Sequence, residues 1–425
     1  MPAKPGWKWN AHDVEILRAL ARRKRELAGH PVNAERRESW LALHGLKPVR
    51  PMILAEWGGV RDPLKPCNPE LQCVEEWARN LESGLRTEQW VFDTLQDDHV
   101  IEPWIGSSWF VECSDYGVKA DVHEGDNAGH LGARRWDPPL RNLREDFAKL
   151  QPRTFSVDRE RTEAWKRHLE QVFDGILPVC RRGGYWWTLG MTIEVIFLIG
   201  LEPLMLYMYD DPEGLHRLMA FMRDEYLRYI DWLEREGLLN LNQANDYTGS
   251  GTLGYVPDLP AADWKPGMPA RARDQWVLLE SQETVGVGPE LFEEFIFQYQ
   301  QPIAERFGLL YYGCCEPINT RWEVVRRFSN LRAVSVAPLC DQRFMAEAMD
   351  NRYVFSRKPN PTLISTGRFD EGLIRQDLQT TIKICRAHGC PLEVIMKDVH
   401  TLNNEPDRLA RWVALARDCL ATRAV

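Results

Sequence analysis

The segments WVLLES (276–281), GLLYYG (308–313), RAVSVAP (332–338) and PLEVIMKD (391–398) decide the fold of this chain. Each is a short, mostly apolar run, and each is followed by residues that show the apolar spacing of a helix or its start signals. Short strands that alternate with helices indicate parallel strands joined by helical crossovers. Because the runs do not alternate with polar residues, we expect both faces of each strand to be buried.

Further strands are predicted at 51–55 and 238–243. Eight or more strand candidates in one chain favour a closed sheet over an open doubly wound one, and no glycine-rich phosphate fingerprint follows the first strand. The sequence therefore predicts an α/β protein with a (β/α)8 TIM-barrel fold. Short right-handed crossovers should make 308–312, 333–337 and 392–396 adjacent parallel strands.

The predicted domain organisation has two parts. Residues 1–48 carry two helical patterns and form an N-terminal helical extension, and residues 49–425 form the barrel. Within the barrel, residues from about 98 to 160 are rich in Gly and Trp and hold too few apolar residues for a core of their own. We interpret them as an insertion that covers the mouth of the barrel as a lid.

Composition restricts the partners of the chain. The net charge is −9 and both signs are mixed along the sequence, which argues against nucleic acid and favours a small-molecule substrate. The N-terminus has no secretion-signal core, and the longest apolar stretch, 193–208, is interrupted by Glu194, Glu202 and Pro203. We therefore expect a cytoplasmic protein without a membrane segment, and the apolar helices of such a barrel also allow a homodimer.

Polar side chains gather where the predicted strands finish, which is where barrel enzymes place their chemistry. The candidate acids, bases and charged substrate contacts are Glu56, Asp246, Glu280, Glu283, Lys397 and Asp398. Thiols, carboxylates and one imidazole also converge from neighbouring strands, and such ligands suit zinc. These candidate ligands are Cys314, Cys315, Glu316, Cys340 and His400. The alternative is that the cysteines are small buried residues that pack the strand ends.

The run RRGGYWW (181–187) follows another strand end. It makes Arg181, Tyr185 and Trp187 candidates for substrate binding, and ordinary loop and core packing is the alternative. A second Cys/His cluster, CRAHGC (385–390), falls on a helix end and the turn into the next strand. That position belongs to the structural end of a barrel, so we do not interpret the cluster as a ligand set.

From about residue 160 to the end, the chain resembles the uroporphyrinogen decarboxylase superfamily, which includes zinc- and corrinoid-dependent methyltransferases and is related to cobalamin-independent methionine synthase. Three segments show the resemblance: GMTIEVIFLIGLEPLMLYMYDDPEGLHRLMAFMRD (190–224), LLESQETVGVGPELFEEFIFQYQQPI (278–303) and GLLYYGCCEPI (308–318). The last is similar to the strand that carries a His-x-Cys metal motif in the methyltransferases. That motif falls here on Tyr312-Gly313-Cys314, so the Cys is present and the His is not.

The resemblance implies a zinc-dependent methyltransferase that moves a methyl group between a small-molecule donor or a corrinoid protein and a thiol or corrinoid acceptor. Zinc would be held by Cys314 and Cys340 with help from Glu316, His400, Cys315 or Glu283, and Tyr312 would contact substrate. The reverse orientation is demethylation of a methoxy or methylamine substrate onto a corrinoid partner. AEWGGVRDP (55–63) lacks the Arg-rich motif of the true decarboxylase, which argues against that activity.

Two alternatives differ from methyl transfer. One is a metal-free, decarboxylase-like lyase that uses Asp246, Glu280 or Asp398 as acid and Arg181 or Arg182 as carboxylate anchor. The other is a non-enzymatic small-molecule binding barrel.

Overall fold

A parallel sheet of six strands forms the centre of the protein. The structure is a computed structural model that describes residues 6–67, 69–124 and 134–421. The order across the sheet is β1-β12-β11-β10-β9-β8, and every neighbouring pair is parallel. These strands are β1 (Met52–Ala55), β8 (Trp276–Leu279), β9 (Leu309–Tyr312), β10 (Leu331–Val336), β11 (Val354–Arg357) and β12 (Leu392–Met396).

The remaining strands form three two-stranded sheets. One pair is parallel and the other two are antiparallel. The pairs are β2 (Ile105–Ser107) with β7 (Val179–Arg181), β3 (Val111–Cys113) with β6 (Phe155–Val157), and β4 (Asp121–Glu124) with β5 (Arg134–Asp137).

Helices join and cover the strands, and several begin at side-chain caps: Asn10, Asp211, Asp341 and Asp370 each accept backbone N–H bonds at a helix start. The helices are α1 (Ala11–Ala28), α2 (Pro31–His44), α3 (Glu76–Trp90), α4 (Leu143–Asp146), α5 (Arg159–Phe173), α6 (Thr192–Ile199), α7 (Leu201–Asp210), α8 (Pro212–Arg235), α9 (Pro289–Phe292), α10 (Gln298–Ala304), α11 (Trp322–Val325), α12 (Gln342–Met349), α13 (Thr362–Ser365), α14 (Glu371–His388) and α15 (Arg408–Ala421). Two π-helical turns, Val91–Leu95 and Glu293–Phe297, extend α3 and join α9 to α10.

The two faces of the central sheet are both buried, as predicted for uniformly apolar strands. The outer face packs against helices, including α8, α10, α12, α14 and α15. The inner face packs against Trp40 and Leu43 of α2 and against residues 253–259. The strand residues on the inner face are Met52, Leu54, Trp276, Leu278, Leu309, Tyr311, Ala333, Val354 and Ile395. Alternation along each strand therefore separates inner from outer residues.

Side chains, rather than further strands, occupy the two edges of this sheet. At the β1 edge, the Asp98 carboxylate accepts from Ile53 N at 2.8 Å and the Asp97 carboxylate from Ala55 N at 3.1 Å. At the β8 edge, the Asn242 amide bonds both N and O of Trp276, each at 3.0 Å. Over the described residues, backbone pairing therefore gives a six-stranded parallel sheet and not a closed eight-stranded barrel.

Two sequence predictions need correction in detail. The segment 238–243 is not a strand, because Asn242 meets β8 through its side chain. The strands β9 and β10 are adjacent and parallel as predicted, but β11 lies between β10 and β12. The predicted neighbour 392–396 therefore pairs with β11 and β1 instead of with 333–337.

The predicted insertion packs against α6 and α8. The Trp136 indole N–H donates to the Ile196 carbonyl at 2.9 Å, and Arg153 N donates to the Glu225 carboxylate at 2.8 Å. Residues 125–133 of the insertion lie outside the described residues. A lid over the strand ends stays a prediction.

Within the described part of the chain, no single helix has the length and apolarity to cross a membrane. The helices α6 and α7 reach that length and composition only as a pair, and they meet at an 88° bend.

Candidate active site at the carboxyl edge of the sheet

Four charged residues continue the inner-facing alternation beyond the strand ends. Each lies two residues after an inner-facing strand residue: Glu56 after Leu54, Glu280 after Leu278, Lys358 after Ser356, and Lys397 after Ile395. Because the strands are parallel, all four emerge at the same edge of the sheet, which we call the carboxyl edge. The sequence predicted Glu56, Glu280 and Lys397 for this edge, and Lys358 is an addition.

Cys314 lies at this edge, just after β9. Its Sγ receives a hydrogen bond from the Ser250 hydroxyl at 3.4 Å, lies 3.6 Å from Sγ of Cys315, and lies 3.8 Å from Nζ of Lys397. The hydrogen bond with Cys315 and the ammonium of Lys397 lower the pKa of Cys314, although burial opposes them. The groups around Cys314 thus favour its thiolate form.

A glycine-rich loop carries Ser250 into this position. A Cβ on Gly249 would lie 2.3 Å from the ring of Tyr311, so only glycine allows the loop to approach the sheet so closely. The Lys397 ammonium donates to the Ser250 hydroxyl at 2.8 Å. Ser250 therefore accepts from Lys397 and donates to Cys314, which links the ends of β12 and β9 across the carboxyl edge.

Two carboxyl groups lie beside Cys314 and differ in their surroundings. Glu316 accepts backbone N–H bonds from Ser281 at 2.9 Å and from Cys314 at 2.8 Å, so it ties the ends of β8 and β9 together. Glu280 is fully buried, and its Oε1 has no hydrogen-bond partner among the described residues. Burial, together with the charges of Glu316 and Glu283, raises the pKa of Glu280 well above its usual range. These surroundings therefore favour the protonated, neutral form of Glu280.

The ammonium group of Lys358 is buried and hydrogen-bonds to neighbouring hydroxyl groups. Its Nζ donates to the Tyr311 hydroxyl at 2.8 Å and to the hydroxyl and carbonyl of Ser356. Burial lowers the pKa of Lys358 to about 8, and the nearby charge of Lys397 adds to that effect. The alternation Val354, Ser356, Lys358 is the signal in the sequence that identifies this residue as inward-facing.

Two cavities border inner-face residues of the sheet, with Tyr247 in the wall of both. The arginine cavity has a volume of about 400 Å³ and is lined by Arg182, Tyr185, Trp187 and Asn240, among others. The aromatic cavity has a volume of about 420 Å³ and is lined by Glu56, Trp57, Gly251 and Leu253, among others.

The predicted binding residues divide between these cavities and other places. Tyr185 and Trp187 line the arginine cavity as expected. Asp246 lines it too, but its carboxylate is ion-paired with Arg182. Arg181 instead pairs with Glu163 at 2.7 Å and stacks on Trp109, away from both cavity linings.

The structure corrects the prediction for Tyr312. This residue is on the outer face of β9, where its ring packs on Phe328 and its hydroxyl donates to Gln300 at 3.1 Å. Its side chain points to the opposite face of the sheet from that of Tyr311, so it packs among the helices and is not a substrate contact. Glu283, predicted as a catalytic or metal-binding group, accepts from the Thr192 hydroxyl at 2.6 Å.

The predicted zinc ligands do not come together around Cys314 and Cys340. Cys340 Sγ accepts from Ile318 N at 3.3 Å and lies 3.9 Å from the Glu316 carbonyl, while both Glu316 oxygens are held by backbone N–H groups. His400 is exposed beside Gly59.

Cys315 and Asp398 do meet near Cys314, with Cys315 Sγ 3.4 Å from Asp398 Oδ2. Even so, residues 6–67, 69–124 and 134–421 contain no group of three or more His, Cys, Asp or Glu side chains arranged to hold a metal ion. The side chains thus do not fit the zinc site that the sequence predicted.

Comparison with known proteins finds similarity to solved structures. No family model and no curated protein matches the chain. Among solved structures, a methyltransferase from Methanosarcina mazei is similar over 90% of this chain and 98% of its own, with a TM-score of 0.47 and 10% identity. Membership of the uroporphyrinogen decarboxylase superfamily stays a prediction.

Proposed function

We propose that this chain is a group-transfer enzyme, a methyltransferase, in which the Cys314 thiolate accepts a methyl group from a small-molecule donor. The observation that supports the proposal is the set of contacts to Cys314 Sγ, which receives the Ser250 hydroxyl and faces the Lys397 ammonium. A thiolate is the nucleophilic form of cysteine, and both neighbours stabilise it. The similarity of GLLYYGCCEPI to the methyltransferase strand supports methyl as the transferred group.

The proposed transfer is a displacement at the methyl carbon. The sulfur lone pair forms the new S–C bond, and the bond between carbon and the donor heteroatom breaks with both electrons remaining on that heteroatom. An oxygen leaving group needs a proton, and the buried, neutral Glu280 carboxyl is the proton donor in this scheme. Burial beside Glu316 keeps that proton on Glu280 until a stronger base forms.

A second substrate must remove the methyl group from Cys314. A methyl thioether is a poor methyl donor, so the acceptor has to be a stronger nucleophile than a thiolate. A corrinoid carried by a partner protein meets that chemical requirement and remains the expected acceptor. The two cavities that share Tyr247 in their walls are candidate places for a donor and an acceptor in this scheme.

The proposal is tested by a single-turnover experiment. The protein is incubated with donors that carry a trideuterated methyl group, an aryl methyl ether and a methylated ammonium, and the peptide 307–321 is examined by mass spectrometry. We expect labelled methyl on Cys314 in the natural protein and none in Cys314→Ser. Cys113→Ser, which removes an exposed thiol outside the site, is the matched control. Equal labelling of exposed thiols, or no labelling of Cys314 by either donor, contradicts the proposal.

A second candidate function is supported by the two lysines at the carboxyl edge. Lys358 and Lys397 are cations suited to a substrate carboxylate, and neutral Glu280 is suited to protonate the carbanion that remains after loss of CO2. This is the decarboxylase-like lyase. Release of CO2 from small carboxylated substrates by Cys314→Ser, which keeps both lysines and Glu280, would support it over methyl transfer.

A further inference from the structure

We propose that the aromatic cavity binds a methylated ammonium group, with Glu56 as the anionic partner and Trp57 and Tyr247 as the aromatic walls. That this ligand is the methyl donor rests on the proposed function. That the cavity binds such a ligand does not.

The walls of the cavity are aromatic and apolar. Trp57, His99 and Tyr247 supply rings, and Leu54 and Leu253 supply aliphatic surface. Trp57 is held by an edge contact with Trp90, whose ring centroid lies 5.3 Å away. Aromatic faces attract cations through the ring quadrupole, and rings around a small cavity are the usual recognition device for methylated ammonium groups. The lining is mostly apolar, which favours a cation without N–H donors over a primary ammonium.

The Glu56 carboxylate supplies charge that the protein leaves without a close cation. In the described part of the chain, its hydrogen-bond partner is the Tyr247 hydroxyl at 3.1 Å, and no Lys, Arg or His nitrogen lies within 4.0 Å of it. Lys397 makes its contacts to Ser250, Cys314 and Asp398 instead.

The other ionisable group in the wall is His99, whose imidazole lies 2.8 Å from the Asp97 carboxylate. Burial acts to lower the pKa of His99, but the charge and hydrogen bond of Asp97, with a contribution from Glu56, raise it overall. A carboxylate beside aromatic rings, with no Lys, Arg or His nitrogen of the described residues within 4.0 Å, is complementary to a ligand cation.

The cavity adjoins the proposed nucleophile. Gly251 lines it, and the preceding residue, Ser250, donates to Cys314 Sγ. A Cβ on Gly251 would lie 2.9 Å from Glu56 Oε1, so glycine allows the loop and the carboxylate to approach each other here. The consecutive residues Gly251 and Ser250 therefore connect the wall of the cavity with the thiolate.

A methylated ammonium also balances the displacement without an added proton. The thiolate sulfur forms the S–C bond, the C–N bond breaks, and its electron pair stays on nitrogen as the lone pair of a neutral amine. One negative and one positive charge become two neutral groups. Glu280 is needed for an oxygen leaving group and not for this one.

The test compares choline with its uncharged carbon isostere, 3,3-dimethylbutan-1-ol, by titration calorimetry on the full-length protein. Shape is the same in the two probes, so the difference reports the charge. We expect choline to bind about tenfold more tightly, and Glu56→Gln to remove that preference. Glu202→Gln, the same change at an exposed site, should retain it. Trp57→Leu should weaken choline binding, and Trp57→Phe should restore part of it.

The same titration on Cys314→Ser separates the two proposals. Retained choline preference in a variant that accepts no methyl group supports the binding site independently of the chemistry. Equal affinity for both probes in the natural protein, or a preference for choline that Glu56→Gln leaves unchanged, overturns the inference. Melting temperatures of the variants show whether each is folded.

Discussion

Nζ of Lys397 lies 3.8 Å from Sγ of Cys314, although their strands are not neighbours in the sheet. The strands β11 and β10 separate β12 from β9, so the contact crosses the carboxyl edge, and Ser250 bridges it. An ammonium and a thiol brought together in this way stabilise a thiolate. The proposed chemistry depends on this contact.

Glu280→Gln tests the neutral acid. The pKa of Glu280 is raised in the folded protein, so above the ordinary pKa of a carboxyl the native state binds more protons than the unfolded state, and stability falls as pH rises. Each unit of pKa difference corresponds to roughly 1.4 kcal/mol. We expect Glu280→Gln to gain stability relative to the natural protein as pH rises from about 5 to about 9. Thermal unfolding across this range measures it, with Glu202→Gln as control. A pH-independent difference would contradict a neutral Glu280.

Lys358→Met tests the buried ammonium. The folded pKa is about 8 and the unfolded value is higher, so the unfolded state binds more protons between them and the natural protein gains stability as pH rises through that interval. The gain should be on the order of 3 kcal/mol for one group. Lys358→Met should lack this gain, which chemical denaturation at several pH values measures. The same pH dependence in both proteins would show that folding does not lower the pKa of Lys358.

Gly249→Ala tests the close approach of the loop. The added Cβ would lie 2.3 Å from the Tyr311 ring, and overpacking of this kind costs roughly 1–3 kcal/mol. The same shift should move Ser250 and raise the pH at which Cys314 reacts. Gly84→Ala in α3, where a Cβ meets nothing within 4 Å, should be neutral or stabilising. Denaturant titration of both variants provides the comparison, and an equal effect would contradict the packing account.

Cys340→Ser tests whether Cys340 is a zinc ligand, as the sequence predicts, or a packed thiol, as the structure shows it. Cys340 Sγ packs against Ile318 N and away from the contacts of Cys314. We therefore expect Cys340→Ser to retain activity and Cys314→Ser to lose it. Elemental analysis of protein purified without chelator is the companion measurement. Stoichiometric zinc that both variants lose would restore the site predicted from the sequence.

Several features of the fold could be read from the sequence because they depend on local pattern. The apolar runs of β8, β9, β10 and β12 predict parallel strands, and Glu280 and Lys397 directly follow β8 and β12 at the carboxyl edge. Lys358 follows the same rule, because it comes directly after β11 and two residues after Ser356.

Other features depend on tertiary contacts that no local pattern reveals. The segment 238–243 has strand-like composition, yet Asn242 bonds β8 through its side chain. The thiol partner of Cys314 is Cys315 and not Cys340, because backbone groups after β9 take up the Cys340 sulfur and the Glu316 carboxylate. Gly249 fits against Tyr311 over a separation of many residues, which spacing alone does not predict.

The most direct test of the account is the pH dependence of Cys314 alkylation by iodoacetamide, followed on the peptide 307–321 with the modified cysteine located by fragmentation. Neighbouring donors lower the pKa of Cys314, so the thiolate should persist below the ordinary thiol pKa of about 8.5, and the rate should reach half its maximum at a lower pH than that. Lys397→Met should move the profile to higher pH. A Cys314 profile centred at or above the ordinary value, and unchanged in Lys397→Met, would contradict the thiolate on which the proposed function depends.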